Sequence, residues 1–272
     1  FGYIFHPLDI GLLAEGFGDH DLRMKRPALL ERIITWFPPF RRSVVTGIRS
    51  RIGTQVKGDM ILIPLLPEQM LMLDNKFVLG RLLEAGHLAE SYGDKILGLG
   101  AYAANIGRKG IFLAQHLHIP VTTGHSYTIA VVIESILKAC ETISLDIADA
   151  TVAVIGATAT IGRTCAHLIA SRARHLFLVA RNQQRLEDLG QSLDGRYRAT
   201  YSMIRDIDAA ITNADLIISA TNTPTAIIDL SKVRPGTIIC DVSRPRNVCE
   251  ANALVRPDVL VLDGGVVRSI GE

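Results

Sequence analysis

The stretch TVAVIGATATIG, residues 151–162, carries residue types that can cradle a pyrophosphate. A dinucleotide site needs a sharp turn after a buried strand and backbone that approaches the phosphates. It also needs amides at a helix start and a small residue where helix meets strand. Gly156 supplies the turn and Gly162 the helix–strand contact. The middle glycine of the usual spacing is replaced by Ala159. Alanine is the mildest departure, one methyl, and it requires a negative φ there. Thr158 and Thr160 bring hydroxyls within reach of phosphate, and Ile161 lies in the same cradle. The plainer reading is a buried strand that turns into a helix and holds nothing.

The surroundings favour the nucleotide. A second apolar segment, HLFLVA, ends about 20 residues further on, where NAD sites place an acid for the ribose hydroxyls. This chain has ARNQQR instead. Arg181 and Arg185 lie one helical turn apart, with Asn182 between them. A guanidinium grips a phosphate through two parallel hydrogen bonds, which suits the 2′-phosphate of NADP(H). The alternative is a pair of solvated surface arginines.

Groups able to move protons lie elsewhere. His125 and Tyr127, in TTGHSYT before a long apolar helix, are candidate proton donors. Ser126 or Thr128 there could equally be a helix cap. Cys249 follows the loop RPRNV and is the one cysteine placed to react; an inert thiol near a helix start is the more common case. Cys140, Cys165 and Cys240 fall in apolar patterns and read as core. Thr221 and Asn222, in SATNTP after a strand, are candidates for the nicotinamide ribose. Asn105, Arg108 and Lys109 in the glycine-rich stretch 98–110 suit a carboxylate or phosphate, or a mobile surface loop. His6 ends the first strand and is a structural histidine more readily than a cleft residue.

The elements that must position these groups alternate. In the second half, near-continuous apolar strands (ATVAVIG, HLFLVA, DLIISAT, GTIICDVS, DVLVLDGG) are separated by helical patterns. That predicts a parallel sheet covered on both faces. The first half predicts strands at GYIFH, SVVTGIRS, DMILIPL and KILGLG. Helices are expected over residues 22–37, from PEQMLML through to SYG, and from Thr128 to Ile143. The fold class is therefore α/β in two domains. An α/β substrate domain, residues 1–145, ends in a linking helix, and an NAD(P)-binding Rossmann domain follows at 146–272.

Composition narrows the partners. The net charge of +2 over 272 residues gives no case for nucleic acid. Four cysteines without metal-ligand spacing fit reduced thiols in a cytoplasm. No apolar run reaches the roughly 18 residues of a membrane span. The basic, apolar segment RMKRPALLERIITWFPPFRR could rest on a membrane surface or receive an acyl chain, although such faces are more often buried against their own sheet. The chain begins without Met and ends at GGVVRSIGE, as a fragment or a longer protein would.

TTGHSYTIAVVIESILKACETI, GATATIG, LFLVARNQQRLEDL, CDVSRPRNV and LDGGVV together resemble the long-chain acyl-(acyl carrier protein) reductases. These are grouped with "predicted amino acid dehydrogenases" and are related in fold to shikimate dehydrogenase. The resemblance implies a substrate domain, an NADP-binding Rossmann domain and a cleft between them. It implies an acyl thioester substrate, with acyl carrier protein a candidate partner, and a homo-oligomer is expected. The reductases accept the acyl group on a cysteine shortly after GGVV, and a thiolate suits that task. Here Arg268, Ser269 and Ile270 follow instead, so the chain resembles a subgroup without that cysteine. The expected function is NADP(H)-dependent oxidoreduction of a carbonyl, aldehyde or acyl derivative. The rivals are an NADP-binding regulatory module without chemistry and an amino-acid or shikimate-type dehydrogenase.

Overall fold

The computed structural model describes residues 1–7, 34–50, 52–221, 223, 225–243 and 246–265. The described residues form two compact units, one within residues 1–124 and one within 125–265. Most of the helix expected over 22–37, and with it most of the basic apolar segment, lies outside the described residues. So do Asn222 and everything after Gly265.

The first unit is built on a five-stranded sheet. Its strands are β1 (Gly2–Phe5), β2 (Phe40–Arg49), β3 (Gln55–Leu62), β4 (Leu97–Leu99) and β5 (Val121–Thr122), in the order β2-β3-β1-β4-β5. Pairing is parallel except at the β2 edge, which runs antiparallel to β3. The helix expected from Pro67 to Gly93 is two helices, α1 (Pro67–Met72) and α2 (Asn75–Ser91). The break has a local cause. Leu73 is extended, and Asp74 Oδ1 accepts the Lys76 and Phe77 N–H groups at 2.9 and 3.2 Å, starting a new helix. Val78, Leu82, Ala85 and Ala89 recur at helical spacing on α2 and share one core with Ile4, Ile61 and Leu97. A short helix, α3 (Ile111–His116), leads towards β5.

The second unit opens with α4 (His125–Ile143), three residues earlier than the sequence pattern suggests. Ile129, Val132, Ile133, Ile136 and Cys140 of α4 lie in one core with Val152, Val154 and Cys165. The helix therefore packs into the second unit, and the compact units part at Gly124 and His125 rather than near Leu145.

After α4 the chain alternates through β6 (Thr151–Ile155), α5 (Thr160–Ala170), β7 (His175–Val179), α6 (Gln183–Leu193) and β8 (Thr200–Ile204). It continues with α7 (Ile207–Thr212), β9 (Leu216–Ser219), β10 (Ile238–Asp241), α8 (Glu250–Leu254) and β11 (Leu260–Asp263). All six strands are parallel, in the order β11-β10-β9-β6-β7-β8. This is the doubly wound Rossmann order, with its switch point between β6 and β9. Val152 and Val154 of β6 enter the core on one face, and Ala153 and Ile155 enter the core on the other. Burial on both faces is why these strands read as unbroken apolar runs. Each fully buried valine or isoleucine among them contributes about 1.5–3 kcal/mol.

Candidate nucleotide-binding site

The turn after β6 is shaped by two glycines and one alanine. Gly156 has φ +80°, a region that L side chains rarely adopt. Its N–H and that of Ala157 both donate to the Val179 carbonyl, at 2.9 and 3.0 Å, which ties the turn to the end of β7. A Cβ on Gly156 would lie 2.4 Å from the Ala220 carbonyl oxygen, beyond the end of β9. A Cβ on Gly162 would lie 2.3 Å from the Gly156 oxygen. Both sites exclude any side chain, for two different steric reasons. Ala159 has φ −76° and ψ 161°, ordinary extended backbone, so alanine there carries no strain.

Ala159 is also the N-cap of α5, and it offers no side-chain acceptor. Side chains cap the starts of α2, α6 and α7, through Asp74, Asn182 and Asp206. At the N-terminus of α5 the first-turn amides, including those of Ile161 and Gly162, point out of the helix, where the dipole favours an anion. Gly162, Cys165, Ala166, Ile169 and Ala170 form the buried face, small enough to bring the helix start close over the turn.

Arg181 and Arg185 follow β7, the strand that pairs with β6 on the side away from the switch point. Both are exposed, and Arg185 lies in the first turn of α6, which holds no acidic residue. Neither is ion-paired among the described residues. Two cations at the positive end of a helix repel it and each other, and a bound phosphate would relieve both. Asn182 has a structural role already: its Oδ1 accepts the Arg185 N–H at 2.9 Å.

Beyond β9 and β10 the structure assembles a polar cluster that the sequence pattern did not bring together. Thr221 belongs to it, with Ser219, Thr223, Asp241, Ser243 and Asn247. Asp241 Oδ1 accepts the Ser243 N–H at 3.0 Å, and its Oδ2 accepts the Asn247 and Val248 N–H groups at 2.7 and 3.0 Å. Asn247, with no exposure to solvent, donates from Nδ2 towards the hydroxyls of Ser219, Thr221 and Ser243, at 2.8, 2.6 and 2.8 Å. The sequence signal was that Ser219 and Asp241 are polar residues closing apolar strands.

His125 opens α4, and Tyr127 in its first turn is 64% exposed. That end of α4 lies near the ends of β10 and β11, since a Cβ on Gly265 would come 3.1 Å from Thr128 Cγ2. Cys249 is the exposed thiol; the other three cysteines are buried. Burial pushes the Cys165 and Cys240 thiols up to about 12 and raises that of Cys140, so none of these supplies a thiolate.

Two candidates fall in the first unit. His6 is buried, with Nδ1 3.0 Å from the Pro7 carbonyl and Nε2 accepting the Tyr102 N–H at 2.9 Å. Both ring nitrogens are engaged, and the residue ties the end of β1 to the segment after β4. Residues 107–110, in the stretch containing Asn105, turn through four successive positive φ angles, including those of Arg108 and Lys109. Left-handed backbone costs an L residue roughly 1–2 kcal/mol.

Residues 138–263 match the family model for shikimate / quinate 5-dehydrogenase. Aminotransferase PigE of Serratia sp. strain ATCC 39006 is 25% identical over 279 residues, covering 99% of this chain and 32% of PigE. The long-chain acyl-[acyl-carrier-protein] reductase of Synechococcus elongatus is 29% identical over 232 residues, 81% of this chain and 65% of the reductase. The chain thus spans less than two thirds of the length of either relative. The nucleotide-binding domain of glutamyl-tRNA reductase from Thermoplasma volcanium has a TM-score of 0.37 at 20% identity, covering 49% of this chain and 84% of that domain. No helix among the described residues is long and apolar enough to cross a membrane, and no group of metal-ligating side chains occurs among them.

Proposed function

We propose that the second unit binds NADP(H) and that the protein is an oxidoreductase acting on a carbonyl, aldehyde or acyl thioester. The observation that carries the reading is the carboxyl end of one pair of neighbouring strands, β6 and β7. It holds a glycine turn with no room for a side chain, a helix start without a cap, and two arginines unpaired among the described residues. The turn at residues 156–162, with Thr158 and Thr160, would hold the pyrophosphate. Arg181 and Arg185 would hold the 2′-phosphate. A bound nicotinamide supplies or accepts hydride. His125 or Tyr127 would deliver the proton that completes reduction of a carbonyl. The first unit would bind the substrate.

The family-model match and the named reductase relative support the oxidoreductase class. The relative's acyl-carrier-linked substrate supports an acyl derivative as the compound to try first. Cys249 is the one exposed thiol among the described residues. A thioester would therefore be reduced directly or after transfer to Cys249. The test is NADPH consumption, followed at its absorbance band, with a panel of aldehydes and acyl thioesters. Turnover that Cys249→Ser leaves intact supports direct reduction. Tight NADPH binding without turnover of any substrate would favour a nucleotide-binding module without chemistry.

A further inference from the structure

We infer that Asn247 is a positioning residue for the nicotinamide half of the nucleotide site, an inference that rests on the NADP(H) reading. Thr223 donates its hydroxyl to Asn247 Oδ1 at 2.8 Å, and Asn247 Nδ2 donates to Thr221 Oγ1 at 2.6 Å. The remaining contact, Thr221 Oγ1 to Thr223 Oγ1 at 3.1 Å, must then run from Thr221 to Thr223, because the Thr223 proton is already given away. The three side chains form a closed ring in which each group donates once and accepts once. Such rings polarise their members in one sense and are strengthened by it.

The second Nδ2 proton serves Ser219 and Ser243. Ser243 Oγ accepts the Thr221 N–H at 3.1 Å, so Thr221 is held by both its side chain and its backbone. The main chain of Asn247 completes the clamp. Its carbonyl accepts the Ile227 and Ile228 N–H groups, both at 3.1 Å, and its N–H donates to Asp241. One buried residue thereby fixes both ends of the loop that follows β9.

That loop sets the glycine turn. Ala220 and Thr221 lie where a Cβ on Gly156 would collide, at 2.4 Å from the Ala220 oxygen and 2.9 Å from Thr221 Cγ2. In a doubly wound sheet the half built on the first three strands takes one mononucleotide and the half beginning at β9 takes the other. Arg181 and Arg185 lie on the first half, so the clamp borders the nicotinamide. The ring also uses the Thr221 hydroxyl proton, which leaves Thr221 able to accept from a ligand but not to donate to it.

The experiment is calorimetric titration of wild type and Asn247→Ala with NADPH and with 2′,5′-ADP, which carries only the adenosine half. The expected result is an NADPH Kd raised about tenfold or more, with the 2′,5′-ADP Kd changed less than about threefold. A general loss of packing would weaken both ligands together, and that result overturns the inference, as does a variant that binds both normally. If Asn247→Ala does not fold, Thr223→Val breaks one link of the ring at nearly constant volume. The same selective loss, several-fold in size, is then expected, and its absence overturns the inference. A wild-type protein that binds neither ligand overturns the nucleotide reading itself. That failure is distinguishable, because it is seen before any variant is made.

Discussion

Gly162→Ala is the substitution whose outcome the structure fixes most narrowly. Mid-helix glycine is ordinarily a weakness, and alanine improves on it by about 0.8–1.0 kcal/mol. Gly80, in α2, is such a site: among the described residues a Cβ there meets nothing within 4 Å. Gly162 is the opposite. Its Cβ would stand 2.3 Å from the Gly156 oxygen and 2.9 Å from the Gly156 carbonyl carbon. Real Cβ atoms do not approach backbone that closely, so the turn or the helix must move. Overpacking of this kind costs about 1–3 kcal/mol, and the propensity gain offsets only part of it. Gly80→Ala should therefore raise Tm by about 2–4 °C, and Gly162→Ala should lower it by a few degrees. The displaced group is the phosphate turn, so Gly162→Ala should also weaken NADPH binding, while Gly80→Ala should not. Thermal melts and calorimetry on the two variants decide this. A Gly162→Ala protein as stable as Gly80→Ala, with unchanged affinity, would refute the close helix–turn contact.

Other expectations follow from single residues. Burial lowers the pKa of His6, so the fold holds the ring neutral. The unfolded chain takes up the proton first, and stability that is full above about pH 6.5 declines as pH falls below it; thermal melts from pH 8 to 5 should show a smaller decline in His6→Gln. Asp206 accepts the Asp208 N–H at 2.9 Å as the cap of α7, and Asp206→Ala should cost about 1 kcal/mol in urea denaturation without changing nucleotide affinity. Of the four thiols, only Cys249 should react quickly with a thiol reagent in the native protein, and Cys249→Ser should abolish that fast phase. Rapid labelling of Cys165 or Cys240 would contradict the buried core described for the second unit.

Much of the second unit was legible because its chemistry is local. Strands buried on both faces are written as continuous apolar runs, and helices between them as period-3.6 patterns, so the α/β alternation could be read directly. The glycine turn was legible for the same reason, since two positions that tolerate no side chain lie six residues apart in sequence. β8 (Thr200–Ile204) was not, because its sequence TYSMI mixes polar and apolar residues without a continuous apolar run. The α1–α2 break was missed because Asp74 reads as one polar residue on a helix face until its side chain is seen capping the next turn. α4 illustrates a different limit. Its pattern gives an apolar face but does not say which sheet will cover that face. The Asn247 cluster depends on contacts between residues up to 28 positions apart, as between Asn247 and Ser219, and no window of sequence contains both partners.

The claim on which the rest depends is that the second unit takes NADP(H) through its arginines. Calorimetric titration of the purified protein with NADPH and with NADH, repeated on Arg181→Ala, tests it most directly. NADPH should bind more tightly than NADH. Arg181→Ala should weaken NADPH by about 10- to 100-fold, the loss of one charge-assisted contact, and leave NADH nearly unchanged. Equal affinity for both nucleotides, untouched by the substitution, would contradict the arginine assignment. Binding of neither would reduce GATATIG to a strand-to-helix turn.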